Sequence, residues 1–227
     1  MNYSDLYNEY NFLSLEKKYN LFFDDKDLLV RAFTHTSYTG DVNGNYERLE
    51  FLGDAVLQII VSDYMYRHDH DEREGVMSKQ RAKLVNEVSL NYVMEQEDLV
   101  KYIVIGQSMK GIKTPKSAYI ADIYEAFVAS IYLDQGYEKA NEFVHNTIIK
   151  RRKDIIKIDE NNDYKTELQE ILQQNGSIQI KYTSDKVSDQ LFAARVEVDG
   201  VVLGIGQGNS KKAAEQQAAK EAISKHV

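Results

Sequence analysis

Apolar residues recur along this chain with two different periods, and the change falls near residue 159. Up to about residue 158 they return every three to four positions, the spacing of helices that bury one face. Phe12 to Tyr19 and Asp25 to Phe33 are short amphipathic segments, the second with Asp24 or Asp25 able to cap it. Tyr46 to Tyr66 is dominated by Leu, Phe, Val and Ile, which predicts a long helix buried on most sides. Ser78 to Glu97, Ala118 to Asp134 and Tyr137 to Ile156 read as further helices. Between them lie a turn-rich loop at 34–45, a polar loop at 68–75, and an irregular basic segment at 103–117 that holds Pro115, the only proline.

Asp159-Glu160-Asn161-Asn162 then reads as a short linker, which divides the chain into 1–158 and 163–227. Tyr164 to Asn175 is a predicted helix, with Asp163 as N-cap and Gly176 just past its end. Apolar and polar residues alternate in Ile178 to Tyr182, Phe192 to Val198 and Val201 to Ile205. Asp199-Gly200 between the last two runs is a hairpin signal. Ser210 to His226 is an alanine-rich helix capped by Ser210. The second part is therefore α-β-β-β-α, with helices on one face of a small antiparallel sheet.

Two pairs of acids interrupt the apolar runs: Glu50 with Asp54, and Asp122 with Glu125. Spacings of four and three put both members of a pair on one helix face. Four inward carboxylates repel one another unless cations lie between them. That points to a hard divalent metal and to phosphate ester hydrolysis. One such pair alone is usually a solvated helix face; two pairs in apolar helices weaken that reading. Other candidates are blander. His68-Asp69-His70-Asp71 fits a solvated loop, and Glu142 with His145 is one Glu-x-x-His where di-iron bundles need two. His35 reads as a structural hydrogen-bonding residue.

The net charge of −8 argues against a nucleic-acid ligand when taken alone. Local clusters matter more than the sum, and two are basic: Lys150-Arg151-Arg152-Lys153 and Lys211-Lys212. With no cysteine there is neither a disulfide framework nor a thiolate metal site. The polar start Met1-Asn2-Tyr3-Ser4-Asp5 lacks the features of a signal peptide, and no run is long enough to span a bilayer, so a cytoplasmic location is expected.

The run Tyr46-Glu47-Arg48-Leu49-Glu50-Phe51-Leu52-Gly53-Asp54-Ala55-Val56-Leu57 closely resembles the signature helix of bacterial ribonuclease III. Thr34 to Tyr38, Ser78 to Glu87 and Ile120 to Gly136 resemble that family's catalytic domain, in the same order. Residues 163–227 resemble a double-stranded-RNA-binding domain, at Tyr164 to Glu170 and at Gly206 to Glu215. The resemblance implies a mostly α endonuclease domain of ribonuclease III fold, followed by a small α+β double-stranded-RNA-binding domain. It implies a homodimer that hydrolyses double-stranded RNA with Mg2+ (Mn2+ as a possible substitute), leaves 5'-phosphate and 3'-hydroxyl ends, and processes rRNA precursors and some mRNAs. Glu50, Asp122 and Glu125 would hold the metal, Asp54 and Glu125 would be catalytic, and Asp54 would hold or orient the attacking water. Glu47 would lie toward the substrate, and Phe51 would insert into a socket on the partner subunit.

Thr166, Gln169 and Gln173 match positions that touch the RNA minor groove, and Lys211 and Lys212 match a pair that grips phosphate. The first three sit at i, i+3 and i+7, on one helix face, and suit the 2'-hydroxyls of an A-form groove. The chain departs from the family at Ser188, where a groove-contacting His is expected, and in its basic loop Met109 to Ser117. The competing readings are a double-stranded-RNA-binding protein without catalysis and a structural part of an RNA assembly. Phe51 as plain core remains the alternative to a dimer contact.

Overall fold

The computed structural model describes residues 3–109, 117–160, 164–173, 179–188 and 191–226. The chain forms two compact units, Met1–Ile156 and Lys157–Val227. Unit 1 is helical: α1 (Tyr3–Glu9), α2 (Phe12–Tyr19), α3 (Lys26–Ala32), α4 (Glu47–His68), α5 (Glu74–Leu84), α6 (Glu87–Gln96), α7 (Ser117–Gln135), α8 (Tyr137–Thr147) and α9 (Arg152–Glu160), which runs past the unit boundary. Unit 2 contains α10 (Tyr164–Gln173), β1 (Ile180–Ser188), β2 (Leu191–Val198), β3 (Val201–Gly208) and α11 (Lys211–His226).

The organising element of unit 1 is α7. Ile123, Tyr124, Ala126, Phe127, Val128, Ala129 and Ile131 are all fully buried, so it presents core on nearly every side. Helix α4 packs along it through Leu57, Ile60, Val61 and Met65. The expectation that α4 is buried on most sides needs correcting. Phe51, Ala55, Ile59 and Tyr66 form an exposed stripe at helical spacing, Phe51 at 84% exposure. The two helices approach closest at Gly53. A Cβ built there would lie 1.9 Å from the carbonyl oxygen of Glu125. Only hydrogen fits, and that contact offsets the roughly 1 kcal/mol helix penalty of glycine.

Several boundaries differ from the sequence reading for identifiable reasons. Helix α1 has no clear apolar period, with only Leu6 and Tyr7 buried. Tertiary bonds hold it: the Tyr3 hydroxyl donates to Gly44 O (3.2 Å), and the Tyr7 hydroxyl donates to the buried Glu16. The expected single helix from Ser78 to Glu97 is two. Asn86 is extended at the break and its side chain accepts from Ser89 N (2.9 Å), while Ser89 Oγ donates to Lys83 O. Helix α5 also begins earlier, inside the polar loop.

The expected helix Tyr137 to Ile156 breaks after Thr147 into a short 3-10 turn, Ile149–Arg151, followed by α9. The Thr147 hydroxyl bonds back to Phe143 O (2.8 Å) and to the buried Tyr124 hydroxyl (2.6 Å), a pattern that bends helices. Helix α9 continues through Glu160, so the first two residues of the expected 159–162 linker are helical. The caps proposed at Asp163 and Gly176, and the expected strand start at Ile178, lie outside the described residues, as does most of the basic loop, 110–116.

In unit 2 the sheet order is β1-β2-β3, antiparallel throughout. Asp199 and Gly200 both have positive φ (50° and 84°), as a two-residue turn between twisted strands requires. Strand β1 runs to Ser188, six residues beyond Tyr182, because Thr183 to Lys186 pair with Phe192 to Arg195 although their own side chains carry no apolar signal. Leu168, Leu172, Ala194, Val196 and four alanines of α11 form the core. Gly204 and Gly206 let α11 approach β3 closely; added Cβ atoms would meet Ala218 O at 2.2 Å and Ala214 O at 2.3 Å.

Gly53→Ala is expected to destabilise unit 1 by roughly 1–3 kcal/mol, through forced separation of two backbones. Gly75→Ala, where nothing lies within 4 Å of the new methyl, should be neutral. Urea unfolding of both variants compares the two. Equal stability would mean that the α4–α7 contact is not tight.

Candidate active site

The packing of α4 on α7 places Glu50 and Asp54 opposite Asp122 and Glu125. All four are half-buried, at the edge of the core rather than within it. Their mutual influence is visible in their acidities. Glu125 is pushed up to about 8 by burial first, then by the charges of Asp54, Glu50 and Asp122. Glu50 is raised by burial and then by Asp122, Glu47 and Asp54. Asp122 is raised by burial and by Glu87, against a lowering effect of the Tyr46 phenol. The charges acting on these three carboxyls are those of other carboxylates, so each added negative charge opposes the next.

This is the electrostatic character of a divalent-cation site. Among the described residues, however, no three carboxylate or imidazole side chains already converge on a single point. A Mg2+-like ion needs only one or two direct carboxylates and keeps several waters. The donor set, all oxygen and with no thiolate, fits a hard ion.

Three residues around the acids carried no assigned role in the sequence reading. Gln58 donates from Nε2 to Asp54 Oδ1 (2.9 Å), which sets that side chain's direction one helical turn away. The buried Tyr46 phenol lies near Asp122 and lowers its pKa. Glu87, in the first turn of α6, adds its charge to Asp122. The i, i+4 spacing of Asp54 and Gln58 was a readable signal; Tyr46 and Glu87 reach the site only through tertiary packing.

Glu47 is exposed beside the four acids, on the same α4 face as Glu50 and Asp54. Phe51 points off that face beside a cleft of about 770 Å³ whose apolar lining includes Leu28, Val42, Leu49, Leu52 and Leu133. His35 has the structural role expected of it, bonded through Nδ1 to Ser37 (2.9 Å) and packed on Tyr119. The run Lys150 to Lys153 is not a uniform basic patch. Arg151 pairs with the buried Glu97, and Arg152 forms two bonds to Asp69 (2.8 and 2.6 Å), leaving Lys150 and Lys153 as the exposed members. Asp69 is thus engaged in an ion pair, and His68 stacks on Tyr64 (4.3 Å), in keeping with a structural loop rather than a metal motif.

In unit 2, Thr166 and Gln169 are exposed on α10, and Lys211 and Lys212 are exposed in the first turn of α11. The Ser210 hydroxyl accepts from Ala213 N (3.1 Å) and caps that helix. Backbone N–H groups at such an end favour anions, and the two lysines add full charge. Gln173 ends α10, but its side chain lies outside the described residues. Ser188 pairs with Leu191 at the end of β1, so the expected His position is the last residue of a strand. Among the described residues no helix is long and apolar enough to cross a membrane.

Comparison with known proteins gives two family matches, Ribonuclease-III-like over residues 25–152 and Double-stranded RNA binding motif over residues 164–226. Ribonuclease 3 of Ligilactobacillus salivarius is 39% identical over 222 residues, covering 93% of this chain and 95% of the relative. Ribonuclease 3 of Enterococcus faecalis is 38% identical over 219 residues, covering 92% and 94%. Among solved structures, the nuclease domain of ribonuclease III from Campylobacter jejuni superposes with a TM-score of 0.57 at 35% identity, covering 61% of this chain and 96% of that one. That structure is described as flexible in a region involved in dimer formation.

The acidities give a stability prediction. The folded pKa of Glu125, about 8, lies above its ordinary value of 4.5. A raised carboxyl contributes stability that is fully present below the unfolded value and is lost as pH climbs through the folded value. In EDTA, Glu125→Gln should therefore melt above wild type at pH 8.5, by about 2–4 °C, and the gap should close toward pH 5. Thermal melts at the two pH values measure it, and a variant that is less stable at pH 8.5 contradicts the repulsion.

Proposed function

The chain belongs to the ribonuclease III family, and from that premise we propose that it is a Mg2+-dependent endoribonuclease that cleaves double-stranded RNA as a homodimer. The observation that carries this reading is the crowding of Glu50, Asp54, Asp122 and Glu125 at the α4–α7 contact, with Glu125 raised to about 8. Glu50, Asp122 and Glu125 would hold the ion. A divalent ion held there supplies charge stabilisation at the phosphoryl oxygens and makes a nucleophile accessible near neutral pH.

The chain's own residues account for the rest. Asp54, its direction fixed by Gln58, accepts a hydrogen bond from the attacking water and orients it toward phosphorus. As the water's oxygen bonds to phosphorus and gives up one proton, the bond from phosphorus to the 3'-oxygen breaks and that oxygen takes up a proton in turn, so that water is divided between the two products. The products carry a 5'-phosphate and a 3'-hydroxyl. Glu125, mostly protonated at neutral pH before an ion binds because its pKa is raised to about 8, must lose its proton when it becomes a ligand. Glu47, exposed beside the acids, lies on the substrate side.

Recognition of the duplex falls to unit 2. Thr166, Gln169 and Gln173 on α10 are neutral groups suited to 2'-hydroxyls across a wide minor groove, and Lys211 and Lys212 hold a phosphate run. A duplex has two strands, and two sites related by a twofold axis cut both. Phe51, an aromatic ring at 84% exposure beside a cleft of mixed apolar and charged lining, is the anchor such an interface needs. Mn2+ is expected to substitute, rRNA precursors and some messages are the natural substrates, and the cytoplasm is the place of work.

Four measurements test the reading. A labelled perfect duplex should be cut on both strands in Mg2+ and left intact in EDTA, with mapped 5'-phosphate ends. Glu125→Gln should retain duplex binding while cleavage falls by at least about 100-fold; wild-type turnover removes Glu125 from the site. Phe51→Ala should shift the sedimentation profile toward monomer, and an unchanged dimer returns this ring to an incidental surface role. Lys211→Ala with Lys212→Ala should weaken binding and reduce the salt slope by about one to two units; loss of affinity at constant slope means the lysines do not meet phosphate.

A further inference from the structure

Lys165, in the first turn of α10, is bonded twice to α11, once through its backbone and once through its side chain. The leading N–H groups of a helix have no partners within it. That of Lys165 donates to Gln216 Oε1 (3.0 Å). Its Nζ donates to Glu215 Oε2 (2.6 Å). The same ammonium lies 4.3 Å from the ring centroid of Tyr182 on β1. A second cation, Lys220 of α11, lies over the ring of Tyr164 at 4.9 Å. The start of α10 is thus tied to α11 and β1 by backbone, charge and ring contacts at once.

Both ends of this brace adjoin residues assigned to the RNA. Lys165 directly precedes Thr166 and lies one turn before Gln169, while Glu215 lies one turn after Lys211 and Lys212. The brace therefore joins the groove-facing helix to the phosphate-facing helix end. The distance from an A-form minor groove to the phosphates beside it is fixed by the duplex. A protein that touches both gains most when its two contact elements already stand at that distance. The side chains of Lys165 and Glu215 are 33% and 20% exposed, so the charge-assisted bond between them is only partly screened. The carboxylate that would offset the two phosphate-facing lysines is instead neutralised by Lys165.

We propose that Lys165 is a positioning residue: its double hold on Glu215 and Gln216 fixes α10 against the phosphate-facing end of α11, and so sets the affinity of unit 2 for an A-form duplex. This rests on the reading of Thr166, Gln169, Lys211 and Lys212 given above. One variant separates the brace from simple electrostatics by sign. Glu215 is a negative charge beside two phosphate-facing lysines, so if it were only a nearby charge, its removal would tighten the hold on a polyanion. As the anchor of the brace, its removal weakens that hold.

The test uses the full chain in EDTA, with a short labelled RNA duplex and a DNA duplex of the same sequence as probes. Glu215→Gln keeps the side chain's size and removes its charge. It should weaken RNA binding by about tenfold at an unchanged salt slope, because no phosphate contact is lost, and leave the weak DNA binding level or tighter. RNA binding equal to or tighter than wild type overturns the proposal. Lys165→Met keeps an apolar stem over Tyr182 and should weaken RNA binding likewise. In that background Glu215→Gln should cost nothing further; losses that simply add overturn the coupling. Lys211→Ala with Lys212→Ala separates this from failure of the underlying reading. If that double variant loses RNA affinity and Glu215→Gln does not, only the brace falls; if neither does, the RNA face itself falls. A Glu215→Gln protein whose helix content drops without RNA, followed by circular dichroism, overturns the proposal in favour of a purely structural pair.

Discussion

The contact between the Gly53 backbone and the Glu125 carbonyl constrains everything else in unit 1. It sets how deeply α4 lies against α7, and so how close the two acid pairs come. Had position 53 carried any side chain, the helices would stand further apart and the carboxylates would be separate surface charges, each screened by water. Instead, Gly53 on α4 lies against the backbone of Glu125 on α7, which sets Glu50 and Asp54 opposite Asp122 and Glu125. The fold thus holds like charges close together at the expense of its own stability without metal, an arrangement common at functional sites.

Around that contact the supporting residues divide by reach. Gln58 holds Asp54 from within the same helix, whereas Tyr46 and Glu87 act on Asp122 from other segments of unit 1. Further out, the braced turn at 34–38 and the bonds of Asp41, Asn43 and Asn45 shape the loop that delivers the chain into α4. Even α1 contributes, through the Tyr3 bond to Gly44. In unit 2, an alanine-and-glycine seam between α11 and β3 provides a rigid support for exposed polar and basic side chains.

Features with local causes were legible in the sequence. The acid spacings, the Asp25 cap (Leu28 N donates to its side chain at 3.0 Å) and the Asp199-Gly200 turn all depend on residues within a few positions of one another. Features set by distant partners were not legible. Helix α1 has too few apolar residues to announce itself, the outer half of β1 is polar and is defined by pairing with β2, and the break at Asn86 depends on a serine bond that periodicity does not register. The basic run at 150–153 misled in the other direction, since two of its four charges face acids of the same unit.

The central claim is that α4 and α7 together create one cation-binding acid centre. Anomalous diffraction from crystals grown with Mn2+ tests it most directly. The account predicts a manganese peak within coordination distance of carboxylate oxygens from Glu50, Asp122 and Glu125, with Asp54 close enough to hold a water. Ordered manganese elsewhere in unit 1, with these four side chains still splayed apart at saturating metal, would contradict it.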